Sequence, residues 1–319
     1  MQPKPEDYDY ELDQALSAVV GIRALIPSDA FTAEILGTER AGHGVLIRRD
    51  GIVLTIGYLI TEAETVWISL SGGSTVAGHV LGYDQETGFG VVQALAHVDT
   101  PALPLGRSSL AEVGMRVVVG GSGGRKRSVA ARIIAKQEFA GYWEYVLEQA
   151  IFTAPAHPFW GGTAVIGPGG DLIGIGSLQI QQATPDPRGG AAQRGDDANM
   201  VVPIDLLKPV LDDLITIGRP NRPPRPWLGL YATEVGDRVA ILGVADRAPA
   251  QKADLRAGDV VLAVGGVAVT DLAGFFRRVW ALGDAGVLVP LTINREGRAL
   301  EVKVQSTDRR RLLKGPVLH

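Results

Sequence analysis

The chain has 319 residues, of which 46% are hydrophobic and 21% are charged, the balance of an ordinary globular protein of about two domains. The net charge of −4 offers no general attraction to nucleic acid, and no apolar run approaches the roughly 20 residues of a membrane span. The absence of cysteine excludes disulfides, thiolate metal ligands and cysteine nucleophiles. The 41 glycines indicate many tight turns between short strands.

The amino terminus lacks the pattern of a secretory signal, because it is acidic and no apolar segment follows a basic one. We therefore expect a cytoplasmic protein, or a periplasmic one if a signal peptide has been removed. No spacing of His, Asp and Glu suggests a metal site, and no cofactor is expected.

Short apolar segments alternate with turns from residue 42 to about residue 202. The Asp50-Gly51 turn lies between two apolar runs and predicts a hairpin. Hairpins are also predicted around Ser71–Gly73 and around Gly167–Gly170. This spacing of short strands is typical of antiparallel barrels or sandwiches.

The segment after these strands carries a loop, a helix and a linker. Residues 179–199 are polar and without periodicity, which predicts a surface loop. The apolar periodicity of Asp205–Ile217 predicts one helix, with Asp205 as its N-cap and Pro209 in its first turn. The Pro-rich segment 218–226 is the best domain boundary in the chain.

Residues 227–308 form a second predicted domain, followed by a tail at 309–319. A helix is expected near Asp271–Leu282 from the spacing of its apolar residues. Strands are expected near Leu228–Thr233, Arg238–Val244, Asp259–Val264 and Leu288–Arg295.

Several segments together resemble the HtrA family of serine proteases. They are Gly42–Ile47, Asp50–Thr55, Gly82–Thr87, Leu105–Ser108, Gly170–Ile175 and Arg225–Gly229. The resemblance covers roughly residues 15–305. It implies a mainly β protein in which a trypsin-like double β-barrel (15–217) follows an N-terminal segment (1–14) and precedes the linker and a small α+β PDZ domain (227–308).

The positions of the catalytic triad depart from the family pattern. The resemblance places Tyr58 at the histidine, Gly88 at the aspartate and Gly161 at the serine. Glycine offers neither a nucleophile nor a carboxylate, and tyrosine is a poor base at neutral pH. These replacements predict a pseudoprotease, a protein that is not an enzyme, with no catalytic residue.

Relocated chemistry is the alternative to this interpretation. His157 lies four residues before Gly161 and could act as a base, although an ordinary loop histidine is the simpler interpretation, as it is for His43. Ser122 lies in a Gly-x-Ser-x-Gly pattern that requires a following helix, whereas a turn and a strand are expected there. Phe159 and Trp160 are expected to fill the cleft, the alternative being an exposed apolar contact site.

The second domain resembles a PDZ domain, which adds an extended peptide to its sheet edge and binds the terminal carboxylate through backbone amides. The resemblance implies binding of C-terminal or extended peptides with apolar ends, unless the groove is blocked or used only inside an oligomer. Asp254 stands where the resemblance leads us to expect a glycine. If that glycine has a positive φ, an aspartate tolerates this conformation better than most residues. The peptide-binding residues expected from the resemblance are Trp227, Leu228, Gly229, Leu230, Leu272, Phe276 or Phe275, and Val279.

Three functions are therefore considered. The first is a catalytically inactive HtrA-like scaffold that binds peptides or proteins through its PDZ domain. The second is a serine-type endopeptidase with a non-standard site. The third is a chaperone-like assembly protein, a homo-trimer formed through Tyr8 and Tyr10 near the amino terminus.

Overall fold

The computed structural model describes residues 2–181 and 197–315. The chain divides into two compact units. Unit 1 contains the chain up to Gln137, Gln149–Asn221 and the chain from Lys314, and unit 2 contains Glu138–Glu148 and Arg222–Leu313. None of the helices in the described ranges has both the length and the apolar character that crossing a bilayer requires.

The first half of unit 1 is a closed six-stranded barrel with strand order β1-β2-β3-β6-β5-β4. The Asp50-Gly51 turn joins β2 to β3 as expected, and Gly51 adopts a φ of +89°. Closure leaves no unpaired strand edge. The elements are α1 (Leu12–Ser17), β1 (Val19–Leu25), α2 (Ala33–Leu36), β2 (Glu39–Leu46), β3 (Ile52–Ile56), α3 (Gly57–Ile60), β4 (Thr65–Ser69), β5 (Thr75–Tyr83) and β6 (Phe89–Ala94).

The second half of unit 1 is another closed barrel, with strand order β10-β11-β12-β9-β8-β7. Its interior is built from branched aliphatic side chains, such as Val117, Ile151 and Val165. The predicted loop at 179–199 is strand at both ends, and residues 182–196 lie outside the described residues. The elements are β7 (Arg116–Gly120), β8 (Ser128–Gly141), β9 (Tyr145–Ala154), β10 (Ala164–Ile166), β11 (Leu172–Gln181), β12 (Asp197–Pro203) and α4 (Leu211–Thr216).

The single helix predicted over Asp205–Ile217 is not continuous. A 3₁₀ turn covers Ile204–Leu206, and α4 begins only at Leu211. Pro209 lacks an N–H and disfavours helical backbone at the residue before it, so the chain makes separate turns there.

Unit 2 contains an antiparallel sheet with strand order β13-β14-β15-β17-β18, and β16 pairs with β15. The helix predicted near Asp271–Leu282 is present as α6. Asp271 caps it by accepting a hydrogen bond from the Gly274 amide, and its apolar face packs into the core. The fold class expected from the sequence, two barrels followed by a small α+β domain, is confirmed. The elements are β13 (Leu230–Val235), β14 (Arg238–Val244), α5 (Pro249–Lys252), β15 (Val260–Val264), β16 (Val267–Ala268), α6 (Leu272–Trp280), β17 (Leu288–Arg295) and β18 (Arg298–Gln305).

Candidate functional site

The structure brings together the three positions that the sequence analysis assigned to the triad. Tyr58 lies in α3, directly after β3, and its hydroxyl is 2.6 Å from the point where a Cβ on Gly161 would lie. The backbone N–H of Gly57 donates to the Gly88 carbonyl at 2.7 Å. The loop before β10, the loop before β6 and α3 therefore converge at one place in unit 1.

The Tyr58 side chain occupies the space next to Gly161 through specific hydrogen bonds. Its hydroxyl donates to the Ser177 carbonyl at 2.8 Å and also hydrogen-bonds the Trp160 side chain. Burial raises the pKa of Tyr58 well above its usual range, against the weaker opposing effect of Trp160. Tyr58 is therefore a neutral phenol at physiological pH, and its hydroxyl donates a hydrogen bond to the Ser177 carbonyl.

Gly88 contributes a backbone conformation rather than a side chain. Its φ is +83°, a region that favours glycine, and its N–H donates to the Asp84 carbonyl at 2.8 Å. The buried Asp84 carboxylate accepts hydrogen bonds from the Thr87 hydroxyl and the Glu86 amide. The turn that precedes β6 is therefore fixed by Asp84, with glycine at its tightest point.

The two aromatic residues before Gly161 do not both fill the cleft as expected. Phe159 is 60% exposed, so its ring points to solvent, while Trp160 is half-buried and contacts Tyr58. The Phe159 amide donates to Nδ1 of the buried His157, which fixes the loop with the Phe159 ring outward. The alternative expectation, an exposed apolar group at this position, describes Phe159 better.

Two histidines and a serine that are distant in sequence also meet beside Gly161. The rings of His43 and His157 lie 5.6 Å apart, edge to face, and Nδ1 of His43 accepts the Ser122 N–H at 3.0 Å. The backbone N–H of His43 donates to the Gly161 carbonyl at 2.8 Å. The glycines around Ser122 mark this segment in the sequence, but nothing in the spacing predicts that His43 lies next to it.

The electrostatics of this pair favour neutral imidazoles. Burial, followed by the nearby His157, lowers the pKa of His43 to about 4, and burial also lowers the pKa of His157. The His43 Nε2 is buried and has no hydrogen-bond partner among the described residues. In the same ranges, no three His, Asp, Glu or Cys side chains are close enough to hold a metal ion.

The second candidate site lies in unit 2, at the loop that leads into β13. Three consecutive amides, those of Leu228, Gly229 and Leu230, donate to the Glu144 carboxylate at 2.7–3.2 Å. The loop requires Gly229, because its φ is +75° and a Cβ there would lie 2.2 Å from the Ala248 Cβ. The predicted carboxylate-binding loop thus forms a ring of donors around a carboxylate.

The Glu144 carboxylate is almost completely removed from water, with 7% of the residue exposed. Burial raises the pKa of Glu144 to about 7, although the three amides and the more remote Arg309 lower it. The amides therefore compensate only part of the cost of burying this charge. The remaining residues predicted for the groove are buried together in the core of unit 2: Leu272, Phe275, Phe276 and Val279.

The comparisons with known proteins match both units. The chain matches the trypsin-like peptidase domain family over residues 42–175 and the PDZ domain family over residues 226–305. The chain has the HtrA-type fold. A solved structure described as the HtrA-type protease AlgW with decapeptide superposes with a TM-score of 0.55 at 20% identity, covering 97% of this chain and 100% of the other.

Curated relatives of this chain carry protease names. The putative serine protease HhoA of Synechocystis is 27% identical over 84% of this chain and 71% of its own length. A probable periplasmic DegP-like serine endoprotease of Chlamydia trachomatis is 25% identical over 83% of this chain, which spans 54% of that relative. The serine endoprotease DegS of Haemophilus influenzae is 25% identical over 84% of this chain and 77% of its own length.

These names contradict the expectation that this chain is not an enzyme, because the relatives are called serine proteases and endoproteases. That expectation rested on three residue types at one place. It also interpreted His43 as an ordinary loop histidine and Ser122 as part of a plain loop, whereas the fold brings the two together beside Gly161. The expected cytoplasmic location also gains no support, since a relative is named periplasmic.

Proposed function

We propose that this HtrA-type chain binds polypeptides by their carboxyl termini through its PDZ domain. The observation that carries the proposal is the convergence of the Leu228, Gly229 and Leu230 amides on one carboxylate. Three N–H donors that hold a side-chain carboxylate can hold a terminal one by the same hydrogen bonds.

The surroundings of the loop support a ligand with an apolar end. β13 lies at the edge of its sheet, where an extended peptide can add as a further strand. Leu230, Leu272 and Phe276 are apolar and buried beside it. The similar AlgW structure is described as containing a decapeptide, which agrees with a peptide as the ligand.

Fluorescence polarisation tests this proposal. The probes are fluorescein-labelled decapeptide pools that end in Leu, Val or Phe, with pools that end in Asp or Lys for comparison. We expect saturable binding of the apolar pools and loss of binding when the same peptides carry a C-terminal amide. Equal binding of the free acid and the amide would exclude recognition of the carboxylate.

The comparisons favour a second candidate, a serine-type endopeptidase with a non-standard site. Gly161 has no hydroxyl, so the nucleophile would come from another residue, and Ser122 lies beside His43 in the same cleft. Burial lowers the pKa of His43 to about 4, so its imidazole is neutral and able to accept a proton but is a weaker base than an ordinary histidine. The His43 lone pair at Nδ1 faces the Ser122 amide in this structure, so the hydroxyl must replace that amide before a proton is transferred.

Covalent labelling separates this candidate from peptide binding alone. A fluorophosphonate probe should label the wild-type chain and Ser69→Ala, whose serine is exposed on β4, but should not label Ser122→Ala. Cleavage of unfolded casein should follow the same order. An unlabelled wild-type chain that leaves casein intact would exclude the serine-type site.

A periplasmic location and a homo-trimer are further parts of the proposal. Tyr8 and Tyr10 pack on each other with ring centroids 5.5 Å apart, and the Tyr10 ring also packs on Gly170 of the same chain. Tyr8 is therefore the better candidate for contact with another copy. Sedimentation velocity should give a trimer that Tyr8→Ala weakens, and a monomeric wild-type chain would exclude this assembly.

A further inference from the structure

The tip of the β8–β9 hairpin lies along the β13 edge in the way an extended ligand would. Besides the Glu144 carboxylate on the loop amides, the Tyr142 carbonyl accepts a hydrogen bond from the Ala232 amide at 2.9 Å. Tyr142 is two residues before Glu144, and Ala232 is two residues after Leu230. Tyr142 is therefore opposite Ala232 and Glu144 is opposite Leu230, as in an antiparallel pair of strands.

Side chains on both sides of the tip hold it in unit 2. The Tyr142 ring lies 5.9 Å from the Tyr231 ring, and Ala140 and Val146 pack against the core of the unit. Glu138 forms an ion pair with Arg277 on α6. The contacts thus reach both β13 and α6, the two elements between which a PDZ ligand would lie.

The local conformation presents the Glu144 side chain to the loop. Glu144 has a φ of +61°, which costs energy for a residue other than glycine or asparagine. Trp143 and Tyr145 stack with ring centroids 5.4 Å apart and support the turn from both sides. A strained glutamate with a buried carboxylate is unfavourable by itself, so its contacts with the amides must compensate for it.

We propose that the segment Tyr142–Glu144 is an internal ligand of the carboxylate-binding loop, and that a free carboxyl terminus binds only when Glu144 leaves it. This inference rests on the proposed peptide-binding function and adds its regulation. The peptide and Glu144 compete for the same three donors. The apparent affinity of the peptide is therefore its intrinsic affinity multiplied by the fraction of molecules in which Glu144 has left the loop. Ligands that also contact the β13 edge displace the whole tip.

Peptide binding to full-length variants tests the competition. Glu144→Ala and Glu144→Gln remove the internal carboxylate, and Glu148→Ala is the matched control, because Glu148 is exposed on the same hairpin. With the apolar decapeptide pools, we expect Glu144→Ala to bind at least about tenfold more tightly than wild type. Glu148→Ala should bind like wild type. Equal affinities of wild type, Glu144→Ala and Glu144→Gln would overturn the inference.

Hydrogen exchange gives a readout that does not depend on a peptide. The amides of Leu228–Leu230 should exchange faster in Glu144→Ala than in wild type, while Glu148→Ala leaves them unchanged. If no peptide pool binds any variant, the proposed function fails, and the exchange rates alone decide the inference. Unchanged exchange at these three amides in both Glu144 variants would show that Glu144 does not protect the loop.

Discussion

The cleft of unit 1 and the carboxylate loop of unit 2 both hold a side chain of the chain itself, but in different ways. In the cleft, Tyr58 belongs to the barrel and lies against a glycine that leaves it room. In the loop, Glu144 comes from the tip of a hairpin and binds through hydrogen bonds that any carboxylate can make. The first occupant is part of the core packing, whereas the second can be exchanged for a ligand.

The largest effect is expected at the loop, where the backbone itself is the receptor. Gly229→Ala places a Cβ 2.2 Å from the Ala248 Cβ at a φ of +75°, and we expect it to cost about 3 kcal/mol or more in the free energy of unfolding. Gly236→Ala is the control, because Gly236 has a φ of +65° with no atom within 4 Å, and about 1 kcal/mol is expected.

Urea unfolding of the full chain measures both variants. Gly229→Ala should also abolish binding of the decapeptide pools, whereas Gly236→Ala should preserve it. Similar losses of stability for the two variants would mean that positive φ alone explains them, and that the close approach to Ala248 contributes nothing.

The next effect tests whether Tyr58 and Gly161 are coupled. Gly161→Ala brings a Cβ to 2.6 Å from the Tyr58 hydroxyl and should cost about 1–3 kcal/mol in the free energy of unfolding. Tyr58→Phe removes that oxygen, and the next atom of the ring lies 3.5 Å from the same point. Gly161→Ala should therefore cost little in the Tyr58→Phe background.

A double-mutant cycle isolates this coupling from the separate cost of Tyr58→Phe, which loses the hydrogen bond to Ser177. The cycle is measured by urea unfolding of four full-length chains. Additive free energies would show that Tyr58 and Gly161 are independent, and that the Tyr58 hydroxyl does not restrict a side chain at position 161.

The sequence predicts those parts of the molecule that local residues decide. The Asp50-Gly51 turn specifies its hairpin, and the apolar spacing of α6 together with the Asp271 cap specifies the helix. Where several local signals compete, the prediction fails. The periodicity of residues 205–217 suggested one helix, but Pro209 divides it.

The candidate sites depend on contacts that no local pattern encodes. Glu144 meets Leu228 across 84 residues, and no motif in the sequence marks its segment. His43 and Ser122 likewise meet across 79 residues, without a local pattern that links them. The resemblance could indicate which loop binds a carboxylate, but only the fold shows which carboxylate is bound there.

A smaller effect is expected from pH, because the pKa of Glu144 differs between its docked, buried state and its exposed state. Burial raises the pKa of Glu144 to about 7, whereas an exposed glutamate has a pKa of about 4.3. Docking of Glu144 is therefore strongest below the lower value and weakens as pH rises through the higher one. Peptide binding should tighten by roughly tenfold between pH 6 and pH 8.

Fluorescence polarisation across this range checks the expected trend, since the carboxylate of the free peptide is ionised at every pH in the range. Glu144→Gln should show no such dependence, and Glu148→Ala should follow wild type. Arg309 is the charged group that lowers the pKa of Glu144. An affinity that weakens with rising pH in wild type would contradict the exchange of Glu144 for a ligand.

The smallest effect concerns Asp254 in unit 2, which stands where the resemblance to a PDZ domain leads us to expect a glycine. Its φ is +61°, and its carboxylate binds the guanidinium of Arg256 at 2.9 Å and that of Arg295 at 3.3 Å. These two ion pairs, Arg256 above all, lower the pKa of Asp254. The substitution therefore replaces conformational freedom with exposed ion pairs, which screening by solvent makes weak. Asp254→Gly should shift the urea midpoint less than Asp254→Ala, because alanine loses the ion pairs and keeps the unfavourable φ. Because both variants lose the ion pairs, a shift for Asp254→Gly at least as large as that for Asp254→Ala would show that the positive φ does not strain this turn.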